Sequence, residues 1–149
     1  MELTDMENVV QQEIPQRKDS LCGIRVLLAE GNDLNAEIAE IQLEELGMTV
    51  TRAADGKQAV GLFADSPAGT FDVILMDIMM PQMNGYEATK AIRRIQNRPD
   101  ALAIPIIAMT ANAFAEDVQA SLDAGMNGHL SKPIVMDEVV KAIMRNLSH

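Results

Sequence analysis

Asp77 ends a short apolar run, Val73 to Met76, inside the stretch FDVILMDIMMPQMNG, and Pro81 and Gly85 follow before helical periodicity resumes. The pattern predicts a buried strand that delivers one acid to a loop. In open parallel sheets ligands bind beyond the carboxyl ends of the strands, so such an Asp is a candidate site residue, although alone it can equally end a strand or turn the chain. Three further residues follow other predicted strands: Glu30, Thr110 and Lys132. If the strands run parallel, an acid, a hydroxyl and an ammonium converge on Asp77. That set fits an acyl-phosphate site in which Asp77 attacks phosphorus while Thr110 and Lys132 bind the phosphoryl oxygens. A divalent cation would screen nucleophile from phosphate, and Mg²⁺ could take oxygens from Glu30, Asp77 and the loop carbonyl of Met79. Plainer accounts exist for each: Lys132 as a solvated lysine before Pro133, Thr110 as a helix N-cap, Glu30 as a loop acid. Their coincidence at strand ends favours the site.

The elements that must position these groups alternate from Ile24 onward, short apolar runs with amphipathic segments, which predicts an α/β fold with a parallel sheet covered on both faces. Strand one is Arg25 to Ala29, and the helix after it carries Leu34, Ile38 and Ile41 on one face and stops at Gly47. Strand two, Thr49 to Ala53, has the half-polar pattern of a sheet edge. A short helix with Ala59, Leu62 and Phe63 precedes the strand that ends on Asp77. Helix three repeats Ala88, Ala91, Ile92 and Ile95 until Pro99, strand four runs from Ile104 to Met109, and helix four holds Phe114, Val118 and Leu122 up to Gly125. The strand His129 to Ser131 leads to Lys132 and Pro133, and helix five turns Val139, Val140, Ile143 and Leu147 inward. Residues 1–22 read as a linker or flexible tail outside the core, with Thr4 and Glu7 as a capping box and Leu3, Met6, Val10 and Ile14 at helical spacing. Residues 23–149 form the domain.

Composition narrows the function. With 22 Asp and Glu against 12 Lys and Arg the net charge is −10, which disfavours binding of nucleic acid by this domain. Cys22 is the one cysteine, so an internal disulfide and a cysteine metal cage are excluded. No stretch reads as a signal peptide or membrane span, and a cytoplasmic domain is expected, whatever anchors a parent protein. Neither G-x-x-x-x-G-K-[ST] nor G-x-G-x-x-G is present. A Mg²⁺-dependent phosphohydrolase with a strand-end Asp nucleophile would want a second Asp two residues on, where Met79 stands.

From Ile24 to Leu147 the chain resembles a response-regulator receiver domain, through LLAEGNDLN, ILMDIMMPQMNGYEA, IIAMTANAF and GMNGHLSKPI, and looks most like the receivers of hybrid sensor histidine kinases. The resemblance implies a doubly wound, flavodoxin-like (βα)5 fold with strand order 2-1-3-4-5, an order for which a member of this family is a standard example. It also implies Asp77 as phosphoacceptor in two-component phosphorelay signalling, Thr110 as the hydroxyl that senses the phosphoryl group, Lys132 as its partner, and a cis peptide before Pro133. The implied phosphodonor is a histidine kinase or a histidine phosphotransfer domain. On phosphorylation the surface of helix four, strand five and helix five would change its partner preference. Chemistry beyond self phosphoryl transfer would belong to a parent hybrid histidine kinase, which residues 1–22 would join to the domain.

Two departures matter. The family places two adjacent acids after strand one, and here the pair is Glu30 and Gly31. Loss of one carboxylate should leave Mg²⁺ weak or absent, so a pseudo-receiver, an interaction module with an impaired metal site, is the alternative function. Asp33 is expected to cap the following helix rather than reach in. His129 stands where the family commonly has Tyr or Phe, and reads either as an exposed strand residue or as a switch residue coupled to Thr110. Met79 offers no polar group to orient a hydrolytic water, so autodephosphorylation is expected to be slow.

Overall fold

The structure is a computed structural model and describes residues 21–111 and 115–147. The leading segment with the Thr4 capping box lies outside the described residues, as does Phe114. Five parallel strands form one sheet in the order β2-β1-β3-β4-β5, where β1 is Arg25–Ala29, β2 Thr49–Ala53, β3 Val73–Asp77, β4 Ile106–Thr110 and β5 Gly128–Ser131. The intervening helices are α1 (Asp33–Glu45), α2 (Gly56–Asp65), α3 (Gly85–Arg93), α4 (Ala115–Ala124) and α5 (Met136–Leu147), with a five-residue helix Pro99–Ala103 between α3 and β4.

The sheet is apolar on both faces because helices cover both. Leu27, Ile74, Met76, Ile106 and Ala108 point to one side, where they meet Phe63 of α2 and Ala88 and Ile92 of α3. Their neighbours along each strand, Val26, Leu28, Val73, Leu75, Ile107 and Met109, point to the other, against Ala36, Ala39 and Leu43 of α1 and Val139, Val140 and Ile143 of α5. Strands buried on both faces read as continuous Val/Ile/Leu runs, as β3 and β4 do. The half-polar β2 is indeed an edge.

Several sequence expectations are corrected. In α1 the core face is Ala36, Ala39 and Leu43, while Leu34, Ile38 and Ile41 lie roughly half a turn round the helix and are 64%, 48% and 50% exposed. Small residues let the helix approach the sheet closely, so the bulkier triad faces outward. Leu122 is likewise exposed on α4, and Leu147 is partly exposed on α5. Helix α3 stops at Arg93, and Pro99 opens the short helix rather than closing a long one, as its fixed φ favours. Strand β4 begins at Ile106, after Pro105, whose carbonyl accepts from Ile74 N–H at 2.9 Å. Leu21, assigned to the leading segment, is fully buried beside α1 and α5, so the core begins before residue 23. Gly47, with φ +91°, closes the α1 turn as its position predicts.

The start of α3 is set against the site. Asn84 and Glu87 form a capping box, and Gly85 N–H donates to the Ile78 carbonyl at 3.0 Å. A Cβ at Gly85 would collide with the Asp77 carbonyl oxygen and crowd Ile78. Gly85→Ala is therefore expected to cost about 3 kcal/mol of stability, despite the better helix propensity of Ala, because backbone must move. Urea unfolding of the two proteins checks this, and equal midpoints would contradict it.

Candidate functional site

Parallel register brings the sequence-predicted groups to one end of the sheet. Ala29 partners Met76 across β1 and β3, so Glu30 emerges beside Asp77, and Asp77 in turn partners Met109, one residue before Thr110. Thr110 partners Ser131 at the end of β5, and its carbonyl accepts from Lys132 N–H at 2.8 Å. The peptide between Lys132 and Pro133 is cis, as the resemblance implies.

The side chains of Glu30, Asp77 and Lys132 meet directly. Lys132 Nζ lies 2.8 Å from Glu30 Oε1 and 3.0 Å from Asp77 Oδ2, with both carboxylates buried. Glu30 Oε2 accepts from Asn32 N–H at 3.0 Å, whereas the backbone donors to Asp77 are long, Gly31 N–H at 3.5 Å and Met79 N–H at 3.4 Å. Thr110 is buried at the end of β4. The mouth is a cavity of about 320 Å³ bordered by Glu30, Gly31, Asp77, Met79, Pro81 and Lys132. Met79 turns its side chain out, 78% exposed. His129 is an exposed residue of β5, beside Glu138 and Lys141 of α5.

The β1–α1 loop differs in detail from the sequence expectation. Asn32, not Asp33, is the N-cap: its side-chain oxygen accepts from Asn35 N–H at 2.9 Å. Asp33 is the first helical residue and pairs with Arg52 at 2.8 Å on the surface. Asn is as good a cap as Asp, and an acid in the first turn suits the helix dipole, so both residues are satisfied where they stand. Arg52 was missed altogether, and the signal available was a long cation near the end of an edge strand beside an acid-bearing loop.

A cation in the mouth would meet two carboxylates and a carbonyl. A Cβ on Gly31 would make ordinary contact with Pro81 Cδ at 3.4 Å, Met80 Cγ at 3.6 Å and the Met79 carbonyl oxygen at 3.7 Å, so a side chain fits where a second acid would stand at the border of the cavity. Among the described residues no three His, Cys, Asp or Glu side chains gather as a metal cage. Two carboxylates, one carbonyl and water are a donor set that would suit Mg²⁺, which keeps several waters.

Burial pushes the Asp77 carboxyl up and neighbouring Glu30 pushes it further, while Lys132 opposes them without cancelling them, so Asp77 lies above the usual aspartate range. Burial also opposes the charge on Glu30, but the Lys132 ammonium and the Asn32 N–H outweigh it and hold Glu30 below the usual range. Burial works against the Lys132 charge too, and the two carboxylates overcome it and raise that pKa. Glu30 and Lys132 are thus the settled ion pair, and Asp77 is the acid held at a cost. Because its folded pKa exceeds its unfolded one, its charge destabilises the fold at high pH, and the cost fades as pH falls through the raised value. Asp77→Asn is expected to raise stability by about 1 kcal/mol near neutral to mildly basic pH, with the gain shrinking on acidification. Chemical unfolding across the acidic range checks this, and a pH-independent difference would contradict it.

A family profile described as response regulator receiver domain matches residues 26–144. Histidine kinase 1 of Arabidopsis thaliana is 38% identical over 159 residues, which cover 87% of this chain and 13% of the plant protein, so the chain corresponds to a small part of that relative. The crystal structure of the receiver domain of sensor histidine kinase PA1611 from Pseudomonas aeruginosa, with a magnesium ion in its active-site cleft, is 38% identical with a TM-score of 0.76, covering 86% of this chain and 100% of that one. The receiver domain of yeast Ssk1, solved with the histidine phosphotransfer protein Ypd1, is 28% identical with a TM-score of 0.71, over 83% of this chain and 88% of that one. Profile, relatives and sheet order agree: the chain belongs to the response regulator receiver family, the receiver domains of two-component phosphorelay systems.

Proposed function

We propose that the chain is a phosphoacceptor relay and switch in which a histidine kinase or histidine phosphotransfer domain passes a phosphoryl group to Asp77. An Asp77 carboxylate oxygen bonds to phosphorus as the P–N bond to the donor imidazole breaks, and the imidazole leaves with the bonding pair and takes up a proton. The observation that carries this reading is Lys132, whose ammonium stands 3.0 Å from Asp77 Oδ2, where the charge of the new phosphoryl group arrives. Asp77 has only long bonds from the backbone and opens on the cavity, as a nucleophile must, while Glu30 keeps the ammonium in place. Asp77, the Met79 carbonyl and Glu30 would hold Mg²⁺, which would screen the approaching phosphoryl group from the carboxylate. The magnesium ion in the PA1611 receiver supports this assignment, and Gly31 makes the site weaker.

The donor must cover the mouth, and the exposed apolar stripe Leu34, Ile38 and Ile41 begins next to it. A cavity of about 410 Å³ bordered by Ile38, Lys132, Pro133 and Ile134 joins stripe to site. Such a surface suits a helical partner with an apolar face. That a yeast receiver is solved with its histidine phosphotransfer protein supports the same class of partner. Phosphorylated Asp77 would draw in the Thr110 hydroxyl and shift the population of states of the α4–β5–α5 surface, on which His129 is exposed. The lack of a second carboxylate at Gly31 favours a second reading, a pseudo-receiver that binds partners without being phosphorylated.

Incubation with a small acyl phosphate and Mg²⁺, followed by intact mass, separates the two. The relay predicts uptake of one phosphoryl group, lost in Asp77→Asn. Ile38→Glu should then slow transfer from a phosphorylated histidine phosphotransfer protein roughly tenfold while leaving uptake from the small donor unchanged, as expected for an interface contact. No uptake by the native chain would instead support the pseudo-receiver.

A further inference from the structure

Arg52, near the end of edge strand β2, donates from Nε and Nη2 to the Glu30 carbonyl oxygen at 3.1 and 2.7 Å, and from Nη1 to Asp33 Oδ1 at 2.8 Å. The Arg52 side chain is 22% exposed and that of Asp33 93% exposed, so the carbonyl contacts are the sheltered part and the ion pair lies in water, where such a pair contributes little. Glu30 is thereby held at four points. Its N–H donates to the Ala53 carbonyl at 3.0 Å, its carbonyl accepts from Arg52, and its two carboxylate oxygens accept from Asn32 N–H at 3.0 Å and Lys132 at 2.8 Å. The next residue, Gly31, has no side chain with which to anchor the loop, and its N–H reaches Asp77 only at 3.5 Å.

We propose that Arg52 is a positioning residue for the Asp77 site. Its guanidinium fixes the Glu30 backbone, the Glu30 carboxylate holds the Lys132 ammonium, and the ammonium meets Asp77. Arg52 touches neither Asp77 nor the mouth and acts only through Glu30. Asp33, the first residue of α1, lies on the outer side of the loop with its side chain in water, so it does not replace the acid missing at Gly31. The consequence for phosphorylation rests on the phosphoacceptor reading above, whereas the positioning itself does not.

The test compares the full chain with Arg52→Ala, Arg52→Lys and Asp33→Ala. Urea unfolding establishes that each variant is folded, amide shifts report Gly31, Asn32 and Lys132, and phosphoryl uptake is followed against the concentration of a small acyl phosphate. Arg52→Ala should displace and broaden the Gly31 and Asn32 amides and lower the maximal uptake rate roughly tenfold without moving the half-saturating donor concentration, as misplacement of a reacting group does. Arg52→Lys should restore part of both effects, and Asp33→Ala should stay close to the native chain. A folded Arg52→Ala with native amide shifts and native uptake would overturn the proposal. So would Asp33→Ala reproducing the whole loss, since the surface ion pair would then be responsible. Should Arg52→Ala not fold, Arg52→Lys carries the test, with intermediate Gly31 and Asn32 shifts expected and unchanged shifts contrary. If the native chain takes up no phosphoryl group, the phosphoacceptor reading fails, and the amide shifts still decide the role of Arg52.

Discussion

Glu30 and Asp77 bring their carboxylates to the same end of the sheet, where burial and mutual repulsion both oppose two negative charges, and the Lys132 ammonium between them is what lets the pair coexist. Much of the architecture follows from that contact. The ammonium can bridge the two acids because parallel register brings the ends of β1, β3 and β5 within two residues of one another at one end of the sheet. The two acids are not equivalent. Glu30 has a close backbone donor of its own and is held as a fixed counter-charge, whereas the backbone donors to Asp77 are long and its close partner is Lys132. The site therefore carries electrostatic cost at Asp77, the carboxylate proposed to react, a common arrangement where function and stability compete.

Backbone packing completes the constraint. Gly85 lets the first turn of α3 rest against the Asp77 carbonyl, which fixes the end of β3 from behind while the side chain stays open in front. Arg52 and Asn32 fix the β1–α1 loop from the other side. With both flanks held, Gly31 borders the cavity at the position where a second acid would stand.

The strands were legible because residues buried on both faces leave uninterrupted Val, Ile and Leu runs, and the site was legible because its members sit where such runs stop. The order of the strands came from the resemblance to a family and not from periodicity. What periodicity misjudged was the direction of faces. In α1 the larger apolar residues, Leu34, Ile38 and Ile41, mark the exposed side, since the core there selects small residues such as Ala36 and Ala39 for close approach. An apolar stripe shows amphipathicity but not which partner it meets. The N-cap was assigned to Asp33 instead of Asn32 because neighbouring cap-forming residues cannot be ranked without the backbone dihedrals. Arg52 was missed for a different reason: its place at the end of an edge strand is visible, but its main target is a main-chain carbonyl, which no residue type marks.

The central claim is that this site, with Glu30 and Asp77 but no acid at Gly31, still receives a phosphoryl group. The most direct measurement is a titration of the native chain with Mg²⁺ in the presence of a beryllium fluoride, beside Gly31→Asp, following the amides of Asp77, Thr110 and Lys132. The account predicts saturable shifts at all three in the native chain, at higher Mg²⁺ than the variant needs. Shifts that occur only in Gly31→Asp would contradict it.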